Sequence, residues 1–479
     1  MTQPLFVPGT LLVPDSTDAS PLVKFIQNDV RPAWQREKMR LKVIQGWMDG
    51  SQPVDYKVQG REDEKRVLLR LAKAPWLSLA TSMFSQALYV DGYRGQNKRE
   101  NAEIWDTWVL NNFEAQQIAI HRHVVGLGYC YARALPGVGP DGSDKALLRA
   151  VAPTRGYALF EDPVIDPYPK WFLEFLPDNH TLRWYDEETY RDFVPDDDLG
   201  LRMVDEVGHG AGVCPVVRYT NAVSLDGEPQ GDIEPVISLA AKIDKTAYDR
   251  LLSQHFNSWR VRWATGVEQG ETPEEEEEDL EKLENNSILS AENPLAKFGT
   301  LDQTSLEGFI AAQEADVKDL FTVLQLPADI AGGQIINVGP DALAAARKGF
   351  SQKVFEKQRS IGITHSRLLR LAAVIEGDME QGADYRARVH WQDPDIRSLA
   401  QAADAWGKIV TMLKVPAWAA WSHLPDVDPE EVDLWYEHLL DSDPRATYLR
   451  DIVKKPEEAQ QDQRGASSAG EQRKTPTAA

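Results

Sequence analysis

Two long helical patterns flank a short β-prone insertion, and a glycine-bearing loop then leads into a third, longer helical pattern. Any fold for this chain must accommodate that arrangement. In the first pattern Val236, Ala240, Ile243, Ala247 and Leu251 recur at three-to-four spacing, one apolar stripe along a helix that begins near Asp232. The second opens on Thr304 to Glu307, a capping box, and carries Leu306, Ile310, Val317, Leu320, Phe321 and Leu324 before Pro327 stops it. Between them Trp259-Arg260-Val261-Arg262-Trp263 alternates strictly, as a strand does. Thr272-Pro273-Glu274-Glu275 then opens a short acidic helix to about Leu283. The loop is Gly332, Gly333, Gln334, Ile335, Ile336, Asn337, Val338 and Gly339. Residues 340–376 form the third pattern, a helix of roughly 50 Å at 1.5 Å per residue, with Gly349 and Gly362 as its natural kink points.

The flanking sequence predicts an α+β, helix-rich chain. After an extended Pro- and Thr-rich arm, a helix should start at Ser20-Pro21 and run to about Trp47, broken or kinked at Arg31-Pro32. Residues 62–71, 75–88 and 101–125 read as further helices, the last as one continuous element. Residues 126–217 change character: short β-prone runs at 128–134, 148–152, 171–176 and 182–185 alternate with Pro, Gly and Asp clusters. Gly126 and Gly128 read as a helix C-cap before a strand. Residues 389–391 look like a strand, and Asp393-Pro394 and Asp428-Pro429 like helix starts in a Trp-rich block. Beyond Lys455 almost nothing is apolar, the composition of a disordered tail.

Composition narrows the function classes. With 479 residues, 42% of them hydrophobic, the chain can form sizeable cores. No run approaches the roughly 18 apolar residues that read as a membrane span, and the start lacks the pattern of a signal peptide, so a cytoplasmic product is expected. Cys130 and Cys214 are far apart and fit two buried free thiols. Asp plus Glu number 75 against 52 Lys plus Arg, a net charge of −23, which argues against tight nucleic-acid binding but leaves room for a surface past which DNA slides.

No motif points to catalysis or a cofactor. His121 and His123 on one helix lie about 200° apart and cannot chelate one ion together; they and His209 are expected at solvent or an interface. The glycines before Pro340 are not followed by the Gly-Lys-Ser/Thr of a phosphate loop, and neither a GxSxG nor an HExxH occurs. An acidic hydrolase would need a nucleophile–base pair that the sequence does not display.

Several stretches, in order, resemble the portal proteins of long-tailed bacteriophages, especially those infecting actinobacteria. They include Gly46-Trp47-Met48-Asp49-Gly50, Ala87-Leu88-Tyr89-Val90-Asp91-Gly92-Tyr93 and Ile104-Trp105-Asp106-Thr107-Trp108 with Asn111-Asn112. His209 with Pro215-Val216-Val217 and Asn221, then Asp244-Lys245 with Asp249, then Leu326-Pro327 with Asn337, and finally Trp391 with Asp393-Pro394 complete the series. Gln86-Ala87 departs from an arginine common in the family.

The resemblance implies a ring, typically of twelve subunits, with wing, stem, clip and crown regions. Residues 1–231 and the long helix and strand at 341–392 would form the wing, 232–256 and 304–326 the stem helices, and 257–303 the clip. The tunnel loop would be 327–340 and the crown 393–455, followed by a disordered tail at 456–479. Implied partners are further copies of the chain, the large terminase subunit, head-completion proteins, major capsid and scaffolding proteins, and weakly held double-stranded DNA. No membrane, metal or cofactor is implied, and the location would be the capsid vertex of a virion assembled in the host cytoplasm. A different minor head or connector protein would share the acidity but would not require the paired helices. In the clip strand Trp259, Val261 and Trp263 would face a neighbouring subunit, while Arg260 and Arg262 would face solvent, DNA or a partner. Alternatively Trp259 ends the stem helix and the arginines pair with the acids at 274–279.

Overall fold

The computed structural model describes residues 19–52, 62–95, 102–196, 200–225, 229–257, 262–265, 297–300, 305–327, 340–392, 399–421, 427 and 429–442. The chain divides into two compact units, residues 1–392 and 393–479.

The first unit opens with α1 (Ala19–Phe25), which passes through a π-helical turn at Ile26–Val30 into α2 (Arg31–Met48). The predicted break at Pro32 does not occur. Pro32 lies in the first turn of the new α-helical register, where its missing N–H costs little, and Arg31 N–H reaches five residues back to Ile26 O. The start also differs, since Ser20 already lies inside the helix.

Next come α3 (Glu62–Ala72), α4 (Trp76–Gln86) and β1 (Val90–Arg94). The expected single helix over 101–125 is two, α5 (Ala102–Leu110) and α6 (Phe113–Leu127). Asn112 takes a left-handed backbone at φ 51° between them, a conformation asparagine tolerates better than most residues. Asn111 then bonds sideways, donating to Ala146 O and accepting from Leu148 N at 2.9 Å each. A helical repeat in sequence cannot register such a tertiary clamp.

Gly128 caps α6 at φ +97°, as its sequence position implied. The β region contains more strands than the sequence displayed: β2 (Tyr129–Val138), β3 (Asp144–Val151), β4 (Gly156–Leu159), β5 (Trp171–Phe175), β6 (Leu182–Tyr185), β7 (Thr189–Pro195), β8 (Leu201–Gly208) and β9 (Val216–Thr220). They build an antiparallel three-stranded sheet, β3-β2-β9, and an antiparallel five-stranded meander, β4-β5-β6-β7-β8. The meander buries one face against α1 and α2. Trp171 and Trp184 stack at 4.6 Å, and Phe25 meets each ring edge-on. Arg133 of β2 joins the two sheets through a buried ion pair with Glu174 of β5 at 3.0 Å.

A 3-10 turn (Glu234–Val236) leads into α7 (Ile237–Asn257). The short strands β10 (Arg262–Thr265) and β11 (Lys297–Thr300) pair antiparallel before α8 (Glu307–Leu324) returns. The capping-box reading fails on α8. Its N-cap is Leu306, without a side-chain cap, and the Glu307 amide turns to Ser305 Oγ at 3.4 Å.

The long pattern is one unbroken helix, α9 (Pro340–Ile375), with α10 (Met379–Ala383) and β12 (Arg388–Trp391) after it; β12 pairs antiparallel with β1. Gly362 is not a hinge there. A Cβ at that position would stand 3.0 Å from Trp391 Nε1, so the absent side chain lets β12 approach the helix. Glu376 fastens the end of α9, accepting from Thr107 Oγ1 at 2.7 Å and Ala146 N at 3.0 Å and pairing with Lys145 at 3.1 Å. The second unit contains α11 (Leu399–Leu413), α12 (Trp418–Trp421) and α13 (Pro429–Ser442), with Trp421 edge-on to Trp435.

Candidate functional site

The paired helices with their small β element are the feature most suited to a function outside the globular core. α7 and α8 pack against each other, and their apolar stripes are buried at one end only. Val236, Ala240, Ile243 and Ala247 of the first stretch and Val317, Leu320, Phe321 and Leu324 of the second are all buried. Towards the β10–β11 end the pattern thins: Leu251 is half-buried and Ile310 is 43% exposed. The 21 residues of α7 extend about 32 Å, and α3 packs along its later part, where Leu69 and Ala72 meet Ala247, Tyr248, Leu251 and Leu252, so the hairpin is rooted in the main unit.

The root is built from polar groups as well. Asp232, at the entrance to α7, pairs with Lys357 at 2.6 Å and Lys353 at 3.4 Å from α9, and accepts from Asn221 Nδ2 at 2.9 Å. Asn221 also accepts from Lys357 Nζ at 2.5 Å, and Lys353 donates to Leu324 O, at the end of α8. Both ammonium groups lie over the Phe84 ring. Burial disfavours the Asp232 carboxylate, but Lys357, Lys353 and the hydrogen bonds outweigh it and hold its pKa below the ordinary carboxylate value. Burial likewise depresses the Lys357 pKa, with Asp232 opposing. One cluster thus ties the long helix to both legs of the hairpin.

Farther along, buried Asp244 accepts from Gln52 Nε2 at 2.9 Å and Ala74 N at 3.2 Å, and burial raises its pKa. Asp316 on α8 pairs with Lys242 on α7 at 2.5 Å. Backbone proximity also constrains the root: a Cβ on Gly231 would stand 1.9 Å from Gly126 O, so the chain entering α7 can touch the end of α6 only as glycine.

Of the residues singled out for the expected clip, Arg262 and Trp263 lie on β10, opposite Thr300 and Gly299 of β11. Trp259, Arg260 and Val261 fall outside the described residues, as do Gly332, Gly333, Gln334, Ile335, Ile336, Asn337, Val338 and Gly339 of the expected tunnel loop. The capping box at Thr272 and the acids at 274–279 do so too.

The expectation of solvent or interface histidines holds for His123, which is partly exposed with Nδ1 2.7 Å from Ala119 O, and is overturned for His121 and His209. His121 and His365 are fully buried at 0% exposure, and His209 is at 1%. His121 Nδ1 lies 2.9 Å from Leu88 O, which requires that nitrogen to donate. Its Nε2 then accepts from His365 Nε2 at 2.9 Å, leaving His365 Nδ1 to accept from the Tyr219 hydroxyl at 3.0 Å. This single neutral tautomer chain satisfies every ring nitrogen, amid Trp108, Phe113 and Trp391. Burial pushes His121 down to about 4 and His365 well below its ordinary value. His209 donates from Nε2 to Asp186 O and accepts from the Ala211 amide. Residue 365 had no signal in sequence, because its partners lie 244 and 146 residues away.

Cys130 and Cys214 are buried and free, as expected. Among the described residues no group of three or more His, Cys, Asp or Glu could hold a metal, and no helix is long and apolar enough to cross a membrane.

The structural relatives are distant. The neck of an empty GTA particle computed with C6 symmetry matches at TM-score 0.43 and 12% identity, over 76% of this chain and 96% of that one. The neck of a native GTA particle computed with C12 symmetry matches at TM-score 0.46 and 12% identity, over 76% and 93%. No curated protein matches. The family described as "Phage portal protein, SPP1 Gp6-like" matches residues 27–444, a span that includes the anchored helix pair, the β insertion and the long helix. The chain belongs to the SPP1 Gp6-like phage portal protein family, whose members are structural rather than enzymatic.

Proposed function

We propose that copies of this chain close into a ring at one capsid vertex of the virion, with an axial channel through which DNA is packaged and later ejected. The ring holds twelve copies, as the resemblance in sequence implies. The main observation behind this reading is the rooted hairpin. α7 and α8 are clamped at one end by Asp232, Lys353 and Lys357 and carry β10 and β11 at the other.

In this assignment residues 1–231 and 341–392 form the wing, 232–256 and 304–326 the stem, 257–303 the clip, 327–340 the tunnel loop and 393–455 the crown. The thinly covered half of α8, including Ile310 at 43% exposure, is then a surface for a neighbouring stem. The mechanism is passive. The packaging motor and head-completion proteins dock on the ring, and the chain performs no chemistry of its own. Its charge of −23 suits a conduit, because carboxylates along a channel repel phosphates and keep DNA from adhering while it moves.

Negative-stain imaging and light scattering of purified protein test the proposal. Closed rings with a central hole are expected. A stable monomer across micromolar concentrations under every assembly condition would overturn it. ATPase and nuclease assays on the same sample should read background.

A further inference from the structure

The described surface carries two patches of opposite character, one where β9 and α9 meet the loop leaving β4 and one on the far edge strand of the five-stranded sheet. The first surrounds a cavity of about 120 Å³ between the loop leaving β4, the end of β9 and the middle of α9. Its wall includes Arg218 and Arg367. Among the described residues no carboxylate pairs with either guanidinium. Arg218 rests on the Phe160 ring at 4.2 Å and donates to Pro163 O at 3.1 Å, and Asp166, which also lines the cavity, accepts from the Asp162 amide. Burial lowers the pKa of both arginines, so each pays for desolvation without an anion to offset it. The rim is apolar and open: Val164, Val223 and Ile363 are 38%, 67% and 43% exposed, and Ile165 beside them 72%.

The second patch is β8, the outer strand of the five-stranded meander at the edge opposite β4. Four interstrand spacings, about 19 Å, separate the two edge strands. On β8 the register slips between Asp192 and Phe193, leaving Val204 as the extra residue of a bulge. Met203 and Val204 are 38% and 56% exposed, and Asp205 beside them is exposed with no cationic partner among the described residues. Glu206 is already engaged by Arg191 at 2.7 Å.

An apolar rim around unpaired arginines and an apolar strand edge beside an unpaired aspartate are complementary in both respects. Because they are different patches, one beside α9 and one on β8, joining them between copies gives a head-to-tail contact, the kind that closes rings. We propose that the β8 edge of one subunit docks on the Arg218–Arg367 pocket of the next, with Asp205 meeting the guanidinium groups and Met203 and Val204 covering the rim. This rests on the ring reading and names the surfaces that would close it.

The test uses full-length protein and analytical ultracentrifugation. Arg367→Glu and Asp205→Arg should each abolish the ring peak and leave monomer, with unchanged circular dichroism. Mixed in equal amounts the two variants should regain rings, since each then offers the charge the other lost. Val223→Asp alters only an exposed rim residue and should also lose rings, which covers the case of Arg367→Glu failing to fold. Wild type without rings would overturn the ring reading and this contact with it. Wild-type rings with unaffected variant rings would overturn the contact alone and leave the pocket to an acidic segment of another protein. Loss in both charge variants without recovery on mixing would show that the two patches do not meet, and would overturn it as well.

Discussion

Acid should loosen the main unit through the His121–His365 pair. Both rings stay neutral in the folded chain at pH values where they would be protonated once unfolded. The unfolded chain therefore binds more protons, and stability falls as pH drops below about 6.5, levelling off only below about 4. For His121 alone the gap between 6.5 and about 4 corresponds to roughly 3 kcal/mol; His365 acts in the same direction. Protonation also breaks the hydrogen-bond chain, because a second N–H on His121 Nε2 would point at the donor on His365 Nε2. His121→Gln keeps a donor and an acceptor without a titrating ring. The assay is urea denaturation followed by tryptophan fluorescence at several pH values from 7.5 to 4, with wild type and variant in the same oligomeric state. The variant should lose less stability over that range, by roughly 3 kcal/mol. Identical acid dependences would refute the linkage, whatever the variant's stability at neutral pH.

Lys357→Met should destabilise by about 3–5 kcal/mol, because it leaves Asp232 buried beside Asn221 with only the more distant Lys353, and adding Asp232→Asn should recover part of the loss; thermal melts check both. Gly231→Ala should cost at least about 3 kcal/mol, since the new Cβ meets backbone, whereas Gly308→Ala on exposed α8 should gain about 0.5–1 kcal/mol, since nothing lies within 4 Å. In the proposed clip, Val261→Asp should impair ring closure, while Arg260→Ala with Arg262→Ala should leave rings intact and weaken motor or connector docking; electron microscopy and pull-down would show the opposite pattern if the faces are reversed. Replacing Gln334 and Asn337 with Asp should reduce DNA packaging without affecting ring assembly, and normal packaging by that variant would remove the loop from the mechanism.

What the sequence could determine was whatever repeats locally or stands in a fixed order. The stripes of α7 and α8, the extent of α9, the cap at Gly128 and the strand at residues 388–391 all follow from spacing that neighbouring residues impose on one another. The ordered series of short motifs identified the family, because their succession is more specific than any one of them. The tertiary structure decided everything that depends on partners distant in the chain. His121 looked like a surface residue because a helical position says nothing of a histidine arriving 244 residues later. Asn112 ended a helix that its own periodicity would have continued, because neighbouring Asn111 bonds to the β3 backbone. Gly362 read as a hinge, but a strand lying against the helix explains its missing side chain. Asp232, Asn221 and Lys357 are unremarkable letters in separate segments, and become the root of the hairpin only when three elements converge. Local periodicity records which face of an element is apolar, whereas burial of a charge or a ring depends on the element that arrives to cover it.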